Sequence, residues 1–358
     1  MLNILFRNIK IRIVNTENCM LSVKYKRIKN IEELISNLSS DYDVIAPVEK
    51  DGKFIFKIIE REDKVRLDYD TTVESAKRFF FPPEEEILEF EDKKIKEKKT
   101  DIRKRIFLGP HLCDINALLK LDKVFENEYQ DPYYLSRREN TIIIGIACNE
   151  PGEKCFCYAV DLKDDGYDIM LTKDKRTYLA IIKTEKGKEI IEKYPQFFEA
   201  IKLKKIPQIT PSKEKFKTKI NLRGVDKLLR ERWDSKVWDE VAEKCLSCGS
   251  CNLVCPTCHC YTVEDDIDVK LKKVTRRRLW DSCQLRDFAL VASGENFRSE
   301  KGARLRNRIS HKFRYYPERY GELMCVGCGR CIIVCPAEID EIDVIKKLKK
   351  EVHKHENK

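Results

Sequence analysis

Residues 245–260 read CLSCGSCNLVCPTCHC, six cysteines in sixteen positions. Cys245, Cys248, Cys251 and Cys255 follow the spacing C-x2-C-x2-C-x3-C, with Pro256 directly after. The same spacing returns as Cys325, Cys328, Cys331 and Cys335, again followed by a proline, Pro336. Three thiolates on one tight loop can grip three corners of a [4Fe–4S] cube, and in this pattern the fourth thiolate of each run goes to the other cube. The spacing therefore assigns Cys245, Cys248, Cys251 and Cys335 to one [4Fe–4S] cluster. A second cluster takes Cys325, Cys328, Cys331 and Cys255. A pair of zinc ribbons would need two C-x2-C halves per ion, leaving the third cysteine and the trailing proline without a use.

Disulfides are the other use of clustered thiols, and they need an oxidising compartment. The opening MLNILFRNIKIRIVN is broken by Arg7, Lys10 and Arg12, so it does not read as a signal peptide. No run approaches the roughly 18 apolar residues of a membrane span. A cytoplasmic location, with metal-bound rather than bridged cysteines, is the expectation. Three thiols near the first run stay outside the cube assignment: Cys258, Cys260 and Cys283 in WDSC. They could build a further metal site with His259 as a nitrogen donor, or pack as small reduced side chains around the cubes.

The elements upstream suggest a third site. RIFLG at 105–109 reads as a short apolar strand, PHLCDINALLKLDKVF as a helix capped by Asp114, and NTIIIGIAC as a buried parallel strand. Strand, helix, strand is a crossover unit, and such sheets bind ligands beyond the carboxyl ends of their strands. Cys113 and Cys148 fall at two such ends, and Cys155 and Cys157 follow in CNEPGEKCFC. The four could hold a third [4Fe–4S] cluster. Zinc or separate core thiols remain open, because C-x6-C-x-C is not a diagnostic spacing.

A chain of 358 residues is long enough for two domains. The expected fold is an α/β N-terminal domain plus a mainly α-helical two-[4Fe–4S] ferredoxin-like C-terminal domain. The boundaries are an extension at 1–19, where translation starting at Met20 would exclude Cys19, then 20–210 and 211–358. DYDVIAPVEKDGKFIFKIIE reads as two strands turning at Asp51-Gly52. FFFPPEEEILEF reads as a proline stop followed by a first helical turn, and 92–105 as a solvated helix or linker. VDKLLRERWDSKVWDEVAEKC and DSCQLRDFALVASG read as helices, the second closing at Gly294. Between Lys270 and Arg319 fifteen Lys or Arg face five Asp or Glu, which is the whole +10 excess of the chain. That stretch suggests a docking surface for an acidic electron carrier or a neighbouring subunit, ahead of plain solvated surface. It carries no nucleic-acid motif. The chain has no G-x-G-x-x-G, no P-loop and no Ser-His-Asp grouping, so no catalytic residue is assigned.

Taken together, DVIAPVEKDGKFIF, FFFPPEEEIL, GPHLCDINALLKLDKVF, DPYYLSRREN, CNEPGEKCFC, CPTCHCYTVED, RRRLWDSC and RNRISHKFRYYPERYG, with both cysteine runs, resemble a known family. The sequence is similar to the iron–sulfur β subunit of cytoplasmic sulfhydrogenases and the A subunit of anaerobic sulfite reductases, from about Met20 to Lys346. The resemblance implies an electron-relay subunit of a larger complex. Its partners would be a flavin-containing subunit exchanging electrons with a nicotinamide and a catalytic hydrogenase or sulfite reductase subunit. A heterodisulfide-reductase-like assembly and a metal-stabilised interaction module are the alternatives.

Overall fold

The structure is a computed structural model that describes residues 24–91, 94–98, 103–201, 203, 206–270 and 272–356. The alternative start at Met20 and the 1–19 extension lie outside these residues.

The N-terminal half is organised on an eight-stranded sheet. Its strands are β1 (Lys24–Ile28), β2 (Asp43–Lys50), β3 (Lys53–Ile58), β6 (Arg105–Leu108), β7 (Thr141–Ile146), β8 (Ile169–Asp174), β9 (Thr177–Ile182) and β10 (Phe198–Ala200), in the order β10-β1-β9-β8-β7-β6-β2-β3. β4 (Glu84–Glu91) and β5 (Lys94–Glu97) belong to a separate sheet. The centre of the large sheet is parallel, β2 on β6, β6 on β7 and β7 on β8. The apolar runs read as buried strands are these central ones, and Ile106, Phe107, Ile143 and Ile144 lie in the core. The hairpin at Asp51-Gly52 forms as expected, both residues taking positive φ (51° and 70°). Four helices accompany the sheet: α1 (Ile31–Asp41), α2 (Leu112–Phe125), α3 (Pro132–Glu139) and α4 (Glu185–Lys193). α2 and α3 form the crossover between β6 and β7. His111, not Asp114, occupies the cap of α2. Asp114 sits one turn in and has another use.

The C-terminal half differs from the sequence reading in three places. VDKLLRERWDSKVWDEVAEKC breaks into α5 (Val225–Glu231) and α6 (Val237–Ala242). The region between the cysteine runs contains a hairpin, β11 (Tyr261–Ile267) and β12 (Lys273–Trp280). β12 pairs with β4, giving a four-stranded sheet β11-β12-β4-β5 that joins residues from both halves. Thus FFFPPEEEILEF leads into a strand rather than a helix. Alternating charge at period 2 explains it: Arg278 of β12 is buried between Glu85 of β4 and Asp131, and Arg137 binds the other oxygen of Glu85 at 2.8 Å. DSCQLRDFALVASG holds only a short 3-10 turn, Arg286–Ala289, and Gly294 (φ 85°) closes a loop rather than a helix. The helices that do form are α7 (Ser250–Leu253), α8 (Lys301–Ser310), α9 (Tyr316–Tyr320), α10 (Arg330–Ile333) and α11 (Glu341–Glu356). A π-helical turn, His311–Tyr315, joins α8 to α9. Among the described residues, no helix is long and apolar enough to cross a membrane.

The two halves share a core. Phe156, from the cysteine loop after β7, is buried with Trp238, Ile309, Phe313, Ile332 and Ile345. A buried ion pair adds to it: both Nη atoms of Arg330, at the start of α10, reach the Asp114 carboxylate at 2.8 Å. The same guanidinium donates from Nε to the Thr72 carbonyl and from Nη2 to Thr72 Oγ1, each at 2.9 Å. Arg330 and Asp114 side chains are both 2% exposed. Removing one member strands a charge in a medium that solvates it poorly, at about 3–5 kcal/mol. Asp114→Ala is therefore expected to lower the unfolding free energy by about that much. Arg66→Ala, breaking exposed pairs with Glu49 and Asp68, is expected to cost under about 1 kcal/mol. Denaturant unfolding of the anaerobically purified protein compares the two, and equal losses would disprove the buried role.

Candidate metal centres

The two cysteine runs adopt the same backbone path. In each, the residue before the second cysteine's loop turn takes positive φ, Ser247 at 54° and Gly327 at 66°. In each, the glycine after the second cysteine, Gly249 or Gly329, caps a four-residue helix in left-handed conformation. This path curls the loop so that backbone N–H groups face sulfur: Ser247 N–H donates to Cys245 Sγ at 3.4 Å and Gly327 N–H to Cys325 Sγ at 3.3 Å. Ile339 N–H donates to Cys335 Sγ at 3.3 Å. Such donors stabilise thiolate charge and tune an attached cluster.

The thiols fall around three cavities. Cys245, Cys248, Cys251 and Cys335 line the first, with Gln284, Arg308, Cys331 and Glu341. Cys255, Cys325, Cys328 and Cys331 line the second, with Arg308, Lys312 and Glu341. Cys113, Cys148, Cys155 and Cys157 line the third, with His111, Asp114 and Cys328. Cys335 thus lies beside the first run's loop and Cys255 beside the second's, while Cys331 also lines the first cavity and Cys328 the third. Among the described residues, no group of three or more His, Cys, Asp or Glu is set to hold a single metal ion. A four-iron cube asks for a different arrangement, since each thiolate meets its own iron at a corner.

The third cavity is built where the sheet predicted it. Cys113 begins α2 after β6, and Cys148 follows β7. His111 stacks on Tyr69 at 4.3 Å, its ring nitrogens facing the carbonyls of Ile146 and Tyr69 at 3.1 Å each. The loop bearing Cys155 and Cys157 lies directly on the second ferredoxin loop: Phe156 N–H donates to Gly327 O at 2.8 Å, and Cys155 Sγ to Cys328 O at 3.5 Å.

Charges that sequence reasoning did not locate surround these cavities. Arg308 and Lys312, four residues apart on one helical face, line the second cavity. Arg308 pairs with Glu341 at 2.5 Å and donates to Asn252 Oδ1 at 2.9 Å, while Glu341 Oε1 receives Cys331 Sγ at 3.5 Å. Lys312, 2% exposed, donates to Thr257 Oγ1 at 2.9 Å. Lys77, 3% exposed, donates to the carbonyls of Asn252 and Cys258 and stacks on Trp280. Burial pushes the Cys148 and Cys251 thiols up to about 11 and Cys157 up to about 12. Burial also pushes the Cys113, Cys325 and Cys331 thiols up. A metal must therefore displace protons from these thiols to bind. Cys255 goes the other way, held down by a hydrogen bond from Cys258 and by the Lys312 and Arg308 charges.

Cys258 and Cys283 are buried, and Cys283 Sγ accepts from Asn252 Nδ2 at 3.0 Å. Cys260 donates to Cys283, which keeps the Cys283 thiol low and the Cys260 thiol high. His259 Nδ1 lies 3.3 Å from Thr257 O, and its ring packs edge-on against His311. Part of the basic stretch expected as a docking surface is paired within the fold, and four of its side chains, Arg278, Arg304, Arg308 and Lys312, are buried. Lys273, Arg276, Arg277 and Arg278 pair with carboxylates across the small sheet, and Arg304 binds the carbonyls of Arg298 and Ser299.

The family described as "4Fe-4S dicluster domain" matches residues 244–339, which span both runs. The chain is 35% identical over 323 residues to the sulfhydrogenase 2 subunit beta of Pyrococcus furiosus, covering 88% of this chain and 95% of that one. The chain belongs to the sulfhydrogenase β-subunit family. No solved structure matches it. Four or more thiols line each cavity, and N–H groups aim at Cys245, Cys325 and Cys335, a donor set that fits iron–sulfur clusters.

Two outcomes are expected here. A methyl on Gly327 would stand 2.6 Å from Cys157 N and Cα, whereas one on Gly294 meets nothing within 4 Å. Both positions have positive φ, so Gly294→Ala is expected to cost only about 1–2 kcal/mol. Gly327→Ala adds overpacking of about 1–3 kcal/mol, and the difference is read from unfolding midpoints. Secondly, burial pushes the His259 imidazole down to about 4 and His311 to about 3. Below pH ~6.5 the unfolded chain takes up protons at these rings and the folded chain does not. Their stabilisation is full above that pH and is lost as pH falls toward about 4 for His259 and about 3 for His311. His311→Phe is expected to flatten this pH dependence, and an unchanged slope would contradict it.

Proposed function

We propose that this chain is the iron–sulfur electron-transfer subunit of a cytoplasmic multi-subunit oxidoreductase of the hydrogenase/sulfhydrogenase or anaerobic sulfite reductase type. It relays single electrons between a flavin/nicotinamide partner and a catalytic subunit. In this reading Cys245, Cys248, Cys251 and Cys335 hold one [4Fe–4S] cluster, Cys325, Cys328, Cys331 and Cys255 a second, and Cys113, Cys148, Cys155 and Cys157 a third. When bound, such clusters supply one-electron storage and transfer at potentials set by charge, hydrogen bonds and burial.

The observation that carries the reading is that twelve thiols gather around three cavities, each proposed foursome together at one of them, with Cys331 also reaching the first and Cys328 the third. The protein's own part follows from the side chains already described. Arg308 and Lys312 offset negative charge at the two ferredoxin-type sites. Backbone N–H groups point at the sulfurs of Cys245, Cys325 and Cys335, and α10 is locked to α2 so that the sites keep their spacing. The C-terminal clusters are those that the dicluster match supports. For the third, support comes from the cavity and from the packing of its loop on Gly327.

Iron, zinc and acid-labile sulfide per chain, measured on anaerobically purified protein, test the proposal. About twelve irons with matching sulfide are expected. About eight would return Cys113, Cys148, Cys155 and Cys157 to another role, and zinc alone would overturn electron transfer. Cys255→Ser is expected to damage the cluster of the Cys325 loop, and an EPR loss confined to the Cys245 cluster would disprove cross-ligation.

A further inference from the structure

The three cavities are not independent. Cys331 lines both the first and the second, and Cys328 lines both the second and the third. Arg308 and Glu341 also wall the first and second together. No residue lines both the first and the third. The ends and the middle also differ in their surroundings. The first cavity opens beside Cys248, which is exposed, and Leu246, 65% exposed. The third is lined by exposed Asp70 and by half-buried Cys148, whose chain continues into exposed Asn149 and Glu150. The second is enclosed by buried Cys255, Cys328, Arg308, Lys312 and Glu341.

We infer that the sites form one series with two surface ends, Cys148 at one and Cys248 at the other, and that the Cys325 site between them exchanges electrons only through its neighbours. The inference rests on the three-cluster reading and goes beyond it. It requires two separate partner contacts, one at each end, rather than a single docking face. Each transfer across Cys328 or Cys331 oxidises one side by one electron and reduces the other by one. No bond is made or broken, and the source and sink are one-electron carriers on the two partners. Cys328 is the hinge of the arrangement: its carbonyl receives Cys155 Sγ, and Arg330, two residues on, is clamped by Asp114, so the middle and third sites cannot drift apart without breaking a buried ion pair. The sequence carries no trace of this order, because the middle site in space is the last in the chain.

EPR of the dithionite-reduced full chain tests it, since neighbouring reduced clusters broaden one another's signals. Cys148→Ser and Cys248→Ser are each expected to remove one end and leave an interacting pair. Cys325→Ser is expected to leave two signals without mutual broadening. A water-soluble nickel–EDTA complex, added to the unsubstituted protein, gives a reading that needs no variant to fold. It is expected to speed relaxation of the two signals lost in the end variants and to spare the one lost in Cys325→Ser. Interaction surviving between the two ends after loss of the middle, or a middle signal the most sensitive to nickel, would overturn the order. An iron count near eight on the unsubstituted protein removes the three-cluster reading itself, and about twelve irons with the wrong coupling pattern overturns the order alone.

Discussion

Arg330 holds this protein together. It follows a left-handed glycine in the second cysteine loop, is almost wholly buried, and directs four hydrogen bonds at Asp114 and Thr72 in the other half of the chain. A buried guanidinium is tolerated only when its donors are met and its charge is balanced. The α/β half must therefore present α2 and the Thr72 strand-end at one place and no other. That requirement brings Cys113 beside Cys328, seats the Cys155–Cys157 loop on Gly327, and sends Phe156 into the helical core.

The second constraint is charge. In the proposed three-cluster reading, twelve thiolates would concentrate negative charge in a buried volume, and buried cations stand beside two of the three cavities. Arg308, Lys312 and Lys77 all lie under 6% exposed around the two ferredoxin-type sites. The net charge of +10 looks from the sequence like a docking field, yet part of the basic stretch finds its counter-charges within the fold, with Arg278, Arg304, Arg308 and Lys312 buried. Lys273, Arg276, Arg277 and Arg278 stitch β12 to its neighbours, and Arg308 and Lys312 serve the cavities. A stretch rich in one sign of charge is a surface only if its counter-charges are not already beside it in the fold.

The places where sequence reasoning strayed share a cause. Residues 84–91 look helical because acidic residues follow prolines, but EEEILEFE also alternates, and the partner that selects the strand is β12, some 190 residues away. The segment after Cys283 looks helical by composition, and it is drawn into a loop by contacts such as Gln284 Nε2 to Arg304 O at 2.8 Å. Asp114 has the position of a helix cap and serves instead as a counter-ion to Arg330. Local propensities are worth tenths of a kcal/mol per residue, and a buried ion pair or a sheet seam outweighs them.

Spacing alone made the two cysteine loops legible, because the path of such a loop is local and is written in the intervals between cysteines and in the glycines among them. Periodicity determined the central parallel strands, because a strand buried on both faces must be apolar throughout. From these, the convergence of Cys113, Cys148, Cys155 and Cys157 could be anticipated. What only the tertiary structure decided is everything that joins distant segments: the sharing of Cys328 and Cys331 between cavities, the cations set around them, and the sheet built from both halves. None of these has a local signature, since each depends on which surfaces meet once the core is packed, and that is settled by burial and charge balance over the whole chain.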